Sequence, residues 1–301
     1  MSRVLRSLVA VVVLALAVPA AAQPDPAKVE VKVVAVAEGV WMLQGAGGNI
    51  GLSAGEDGAF LVDDDYAPLT AKVRAAVASV TAQPVRFVLN THWHGDHTGG
   101  NENFGEAGAV IVAHDNVRRR MSTEQVIAAM GRTVPPSPDA ALPVVTFADC
   151  VTFHVNGDTL SVFHLPAAHT DGDAAVYWQR ADVLHTGDLY FASGYPFIDR
   201  SSGGSLDGLV AAVERLLERA GEGTRVIPGH GGLSDRAGLT AYLEMLRGVR
   251  ARVAALIAEG KTRDETIAAK PTTPWDERWA GGFIDGDTFT GFAYDSLTAA
   301  R

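Results

Sequence analysis

Four short apolar runs in this 301-residue chain each end in a loop that carries metal-type side chains, and any fold it adopts must place those loops. PVRFVLN leads into THWHGDHTGGN, which puts His92, His94, Asp96 and His97 within six positions. TLSVFHLPAAHTDGD carries His169, VLHTGDLYF carries Asp188, and TRVIPGHGG carries His230. The runs are short, apolar and rich in β-branched residues, which reads as strand. A rigid strand holds still the loop that leaves it. If the strands share a direction, the loops meet at one edge. Imidazole nitrogen and carboxylate oxygen both suit zinc. An HxH pair alone is weak, but HxHxDH after a strand, followed by three more strand-terminal ligands, is strong. Gly95, Gly99 and Gly100 let the backbone bend around the metals.

Taken together, HxHxDH, AHTDGD, TGDL and PGHG resemble the metallo-β-lactamase-fold hydrolases of glyoxalase II-like type. The resemblance runs from about Val29 to the C-terminus and implies an α/β fold, a four-layer αββα sandwich with the metals at one rim. It further implies two zinc ions per chain. His92, His94 and His169 would hold the first, and Asp96, His97 and His230 the second. Asp188 would bridge them, opposite a bridging hydroxide. Seven ligands leave coordination over for water. The family counterpart of Asp63, in FLVDDDYAP, supports the metal loop by accepting the free ring N–H of a ligand histidine. Read as residues alone, Asp63, Asp64 and Asp65 are equally an acidic surface turn. His114, His154, His164 and His185 lie in or at the ends of strand patterns and are expected to be structural.

The implied chemistry is hydrolysis. Two zinc ions would lower the pKa of a bridging water, and Asp96 is the residue expected to orient the hydroxide and handle its proton. The best-known zinc β-lactamases have cysteine at the position of Asp188 and lysine three residues later, where this chain has Phe191. Aspartate there is similar to the glyoxalase II, lactonase and phosphodiesterase branches. The expected substrate is a small ester or amide, cyclic ones included. A true zinc β-lactamase is one alternative. A mononuclear iron persulfide dioxygenase-like oxidoreductase is another, although it needs no complete second site. Tyr190, Tyr195 and Arg200 either line the pocket or pack against the next helix.

The first 22 residues read as a secretory signal peptide. Arg3 and Arg6 precede an eleven-residue apolar core, Leu8 to Val18, and Ala20–Ala22 fits a cleavage site before Gln23. That run is too short to span a bilayer, so a periplasmic or secreted protein without a stable membrane anchor is expected, with residues 23–301 as one hydrolase domain. The net charge is −10, and no Lys/Arg cluster stands out beyond Arg118–Arg120, read as a solvated helix face. An acidic chain of this kind argues against a nucleic-acid partner and leaves a small-molecule substrate. The single cysteine, Cys150, rules out an internal disulfide and is expected to be buried at the start of a strand.

Between these points the chain alternates like antiparallel strands over Val29–Gln44 and Ile50–Val62. Helical spacing covers Pro68–Val80, Asp115–Met130 (capped by Asp115 or Asn116), Leu206–Ala220 and Ala237–Glu259. Residues 134–143 are a Pro-rich loop expected to wall the site. Residues 262–294 are expected to form a polar tail with a short helix. No repeat of fixed period is present, although two pseudo-symmetric halves would suit the fold.

Overall fold

The computed structural model describes residues 25–299, so the signal-peptide reading falls outside the described residues. An antiparallel meander opens the chain: β1 (Lys32–Ala37), β2 (Val40–Gln44), β3 (Ile50–Gly55) and β4 (Gly58–Val62). Helix α1 (Thr70–Val80) then crosses over to β5 (Val85–Asn90), parallel to β4. The short helices α2 (Gly95–Thr98) and α3 (Asn101–Glu106) lead to β6 (Val110–His114), parallel to β5. After α4 (Asp115–Met121) and a small hairpin, β7 (Gln125–Ile127) with β8 (Arg132–Val134), strand β9 (Val145–Phe147) completes a seven-stranded sheet. Its order is β1-β2-β3-β4-β5-β6-β9. In β4 every residue is buried, as an apolar strand in the middle of a covered sheet must be.

The chain passes from this sheet to the second once, through Ala148 and Asp149. The second sheet has the order β10 (Cys150–Val155), β11 (Asp158–His164), β12 (Ala174–Trp178), β13 (Val183–His185), β14 (Arg225–Ile227) and β15 (Ser234–Asp235). Only β13 and β14 pair in parallel. Helix α5 (Leu206–Arg219) connects them, and α6 (Arg236–Ala258), α7 (Arg263–Ala268), α8 (Asp276–Trp279) and α9 (Gly286–Thr298) follow. Ser205 and Asp235 cap α5 and α6 by accepting from Gly208 N and Gly238 N.

Three apolar cores define the four layers. Met42, Phe60, Val62 and Leu89 of the first sheet meet Leu160, Val176, Trp178 and Ile227 of the second. The outer face of the first sheet packs on α1 and α3 through Val73, Val77 and Phe104. On the second sheet, Phe163, Ala175 and Leu184 pack on the helical layer. In that layer α5 buries Leu206, Leu209, Val213 and Leu216, a helical stripe facing inward. Each such side chain contributes about 1.5–3 kcal/mol on burial. Among the described residues, no helix is long and apolar enough to cross a membrane.

Several sequence expectations change. The helix expected over residues 115–130 stops at Met121, because the hydroxyls of Ser122 and Thr123 both donate to Arg119 O and satisfy its last turn. Its cap is His114, whose Nδ1 accepts from Asn116 N. Nor is its basic run wholly solvated: Arg120 makes two 2.7 Å bonds to the Asp171 carboxylate. Cys150 is exposed, because β10 is an outermost strand whose alternate side chains, Cys150, Thr152 and His154, face water. The C-terminal tail is part of the core: Trp279, Phe289 and Ala293 are buried against α5 and α6. In the Pro-rich loop, Asp139–Ala141 packs against α3, where Ala141 O accepts from Asn101 Nδ2 at 3.0 Å.

Candidate metal centre

Parallel pairing puts the carboxyl ends of β4, β5 and β6 at one edge. In the second sheet β11, β13 and β14 also run in one direction, since β12 is antiparallel to both β11 and β13. The two edges are joined. Asn49 N donates to Gly229 O at 2.7 Å, and Ala174 N to Thr91 O at 2.8 Å. The four ligand-bearing loops therefore meet, although across two sheets rather than along one.

His92, His94, His169 and Asp188 form one buried group, and Asp96, His97 and His230 a second beside it. In the first, His94 Nδ1 lies 3.1 Å from His92 Nε2 and 2.9 Å from His169 Nε2. In the second, His97 Nε2 is 3.4 Å from His230 Nε2, and Asp96 Oδ2 is 3.4 Å from His230 Nε2. The Asp188 carboxylate is divided between the groups. Its Oδ2 is 3.5 Å from His169 Nε2, and its Oδ1 is 3.1 Å from His97 Nε2 and 3.3 Å from His230 Nε2. That buried Oδ1 has no hydrogen-bond partner.

The outer nitrogens of these rings are already committed. His94 Nε2 is 3.1 Å from Asp199 Oδ2, and His97 Nδ1 is 2.8 Å from Asp63 Oδ2; a carboxylate can only accept. His169 Nδ1 is 2.7 Å from Phe197 O. Thr91 gives its hydroxyl proton to Asp63 at 2.8 Å, so it accepts from His92 Nδ1 at 3.1 Å. Each of these four rings thus donates outward and, when neutral, turns a lone pair inward. Lone pairs facing one another at 2.9–3.1 Å repel unless a cation lies between them. The donor set and the orphaned Asp188 Oδ1 fit metal ions.

Burial pushes His92 well below the usual histidine range and brings His169 down to about 4, so both are ready as neutral ligands. In the second group burial is overridden. The carboxylates of Asp188 and Asp96 raise His230 to about 10 and carry His97 well above its ordinary value, with Asp63 adding to the latter. Asp96 and Asp188 lie well below the carboxylate range, because these imidazoliums outweigh burial. In protein stripped of metal, protonated His230 contributes stability that is complete below its ordinary 6.5 and is lost as pH rises through about 10. The stripped protein is therefore expected to melt at lower temperature as pH climbs through this window, while metal uptake, which must displace these protons, strengthens. Melting curves beside chelator competition across the window test both signs.

Asp63, Asp64 and Asp65 are all fully buried, so they are not an acidic surface turn. Asp63 sits at φ 65°, a left-handed conformation that costs about 1–3 kcal/mol in a non-glycine residue. Its three bonds, to Thr91 N, Thr91 Oγ1 and His97 Nδ1, hold it there. Asp65 accepts from Ala46 N and Gly47 N, fixing the β2–β3 loop behind His97. Gly48 of that loop has no room for a side chain, since a Cβ would lie 2.1 Å from His97 Cε1. Gly48→Ala is expected to displace the His97 ring and lower metal content. Metal analysis after dialysis checks this, and an unchanged stoichiometry would contradict it.

Residues 44–231 match the family model described as "Metallo-beta-lactamase superfamily". The chain belongs to the metallo-beta-lactamase superfamily. It is a metal-dependent hydrolase of that superfamily. It is 28% identical over 202 residues to the hydroxyacylglutathione hydrolase of Nitrosococcus oceani, covering 67% of this chain and 68% of that one. It is 29% identical over 223 residues to the enzyme of the same name from Methylococcus capsulatus, covering 70% and 78%. The fold is similar to a metallo-beta-lactamase from Pontibacter korlensis, with TM-score 0.59, 24% identity and coverage of 72% of this chain and 99% of that one. It is similar also to the inverting sec-alkylsulfatase of a Pseudomonas species, with TM-score 0.71, 16% identity and coverage of 90% and 51%.

Within this superfamily chain the remaining histidines have structural partners. His114 Nε2 donates to Ala148 O, His164 Nδ1 to Asp173 O and His185 Nε2 to Asn49 O, while His154 is exposed beside Thr159. Tyr190 and Tyr195 do not line the pocket. Both are buried, with hydroxyls on Ser234 and Asp276, against the C-terminal helices. Arg200 is exposed in a short turn. Sequence reasoning missed Asp199 and Asn49. Asp199 lies in IDRSSGG, where an Asp ahead of serines and glycines is a capping signal, but a cap does not announce a histidine partner. Asn49 ties the β2–β3 loop to Pro228 O, a contact 179 positions away that no local pattern carries.

Proposed function

We propose that the chain is a dinuclear zinc hydrolase of small acyl compounds, an ester, thioester or amide, cyclic forms included. The observation that carries this reading is the Asp188 carboxylate divided between two histidine groups. It supports two ions held by His92, His94 and His169 on one side and Asp96, His97 and His230 on the other. Zinc there would polarise the substrate carbonyl and acidify a water enough to attack near neutral pH. Asp96 and His230 are the half-buried members of the set, so substrate reaches the centre from their side. Asp96 accepts a hydrogen bond from the attacking water and orients it.

Phe191 supports the choice of substrate. Its ring stacks on His230 with centroids 5.2 Å apart, so the wall beside this ligand is apolar and offers no cation to a carboxylate. That disfavours β-lactams and favours an uncharged group next to the scissile carbonyl. The relatives named hydroxyacylglutathione hydrolases support a thioester in particular. Residues 1–22 support export. The test is metal analysis of purified protein beside a hydrolysis screen over thioesters, lactones, phosphodiesters and β-lactams. Two zinc per chain with acyl turnover is expected; one iron per chain without hydrolysis would overturn the reading.

A further inference from the structure

The loop that follows Asp188 touches two of the three histidines of the first group. Phe197 O accepts from His169 Nδ1 at 2.7 Å, and Asp199 Oδ2 accepts from His94 Nε2 at 3.1 Å. The same loop returns the contact through the backbone, because Asp199 N donates to His169 O at 3.0 Å. Asp199 is itself held tightly. Ser202 Oγ donates to its Oδ2 at 2.6 Å, Ser201 Oγ donates to its Oδ1, and Ser202 N also reaches Oδ1 at 3.2 Å. Ser202 Oγ accepts in turn from Trp93 Nε1 at 3.1 Å, the residue beside His94. The carboxylate is buried, and both of its oxygens are taken up by these donors and His94.

We propose that Asp199 is a positioning residue for the first metal site, fixing His94 as the Nε2–H tautomer and strengthening Nδ1 as a ligand through its negative charge. This rests on the dinuclear reading above. A carboxylate behind a ligand imidazole prevents ring rotation, selects the tautomer and makes the ring more basic toward the metal. Asp63 serves His97 in the same way, so each group has one histidine backed by a carboxylate, and in the first group His92 and His169 are backed by neutral oxygens. The two carboxylates come from opposite sheets. Asp63 follows β4 of the first, whereas Asp199 follows β13 of the second and reaches across to a histidine of the first. The segment after Asp188 thus clamps His94 from the opposite side of the site.

Asp199 also caps the turn Arg200–Ser202, so shape must be separated from charge. Asp199→Asn keeps the shape and one acceptor but removes the charge. Ser201→Ala weakens the turn without touching His94. For each variant, and for the parent, zinc affinity is measured by chelator competition and cobalt(II) is substituted for its absorption spectrum. Asp199→Asn is expected to weaken one of the two zinc constants by about 10–100-fold, to alter one cobalt component and to leave the other unchanged. Ser201→Ala is expected to stay close to the parent. Parent-like affinity in Asp199→Asn, or equal losses in the two variants, would overturn the proposal. A parent that fails to take up two ions would instead overturn the dinuclear reading.

Discussion

Asp96→Asn is expected to lower kcat by at least ~10²-fold while both metal ions stay bound. Asparagine keeps the side chain's shape and one oxygen for the second group, where Asp96 Oδ2 lies 3.4 Å from His230 Nε2 and 3.7 Å from His97 Nε2. It loses the negative charge and the capacity to take a proton. A loss of that size corresponds to roughly 2.7 kcal/mol of transition-state stabilisation. Without the charge, the side chain holds a water proton more weakly and cannot receive it, so both the orientation and the activation of the attacking water suffer. Metal stoichiometry measured beside turnover decides the matter. Near-parental turnover with two ions bound would remove Asp96 from the mechanism.

A larger loss is expected for Asp188→Asn, because this carboxylate serves both groups. Replacing it turns one of its two oxygens into an amide N–H₂, which cannot ligate. If that face meets His97 and His230, its N–H groups, about 3.1–3.3 Å away, donate to the inward lone pairs that a metal would need. Removing a partner that lies outside the ligand set costs roughly 10–100-fold in metal affinity. Losing a shared ligand should exceed that, with at most one ion retained after dialysis and hydrolysis near background. Folding should survive, since an uncharged amide is easier to bury than an ionised carboxylate. Circular dichroism and metal analysis separate these effects. Two tightly held ions in Asp188→Asn would mean that the carboxylate does not bridge.

What the sequence disclosed followed the range of the interactions. The loops with metal-type side chains were legible because each closes a local pattern, an apolar run and then a glycine-marked turn, and their seven residues gather in two groups. The strands Val40–Gln44 and Gly58–Val62 and the helices Thr70–Val80, Leu206–Arg219 and Arg236–Ala258 were equally legible from periodicity and caps. Where the sequence left matters open or misread them, a distant partner decides. Tyr190 and Tyr195, open between pocket and helix, are drawn into the helical layer by Tyr242 and Phe289. Cys150 looks like a core residue until its strand proves to be an outermost one. The polar tail carries few apolar side chains, but Trp279 and Phe289 fill space that α5 and α6 leave open.

The chain enters the second sheet only once, after Phe147, and this gives the metal centre a further property. His92, His94, Asp96 and His97 are encoded before the crossing, and His169, Asp188 and His230 after it. Each ion would take donors from both stretches, so neither stretch could assemble a complete coordination sphere alone. The separation of the sheets is set elsewhere, by side chains such as Phe60 and Trp178 deep between them. A change there that slid one sheet against the other by a fraction of an ångström would pull apart both ligand sets at once, without altering any ligand. Metal affinity in this protein is therefore a gauge of alignment between two consecutively encoded half-molecules, readable from mutations that lie nowhere near the ions.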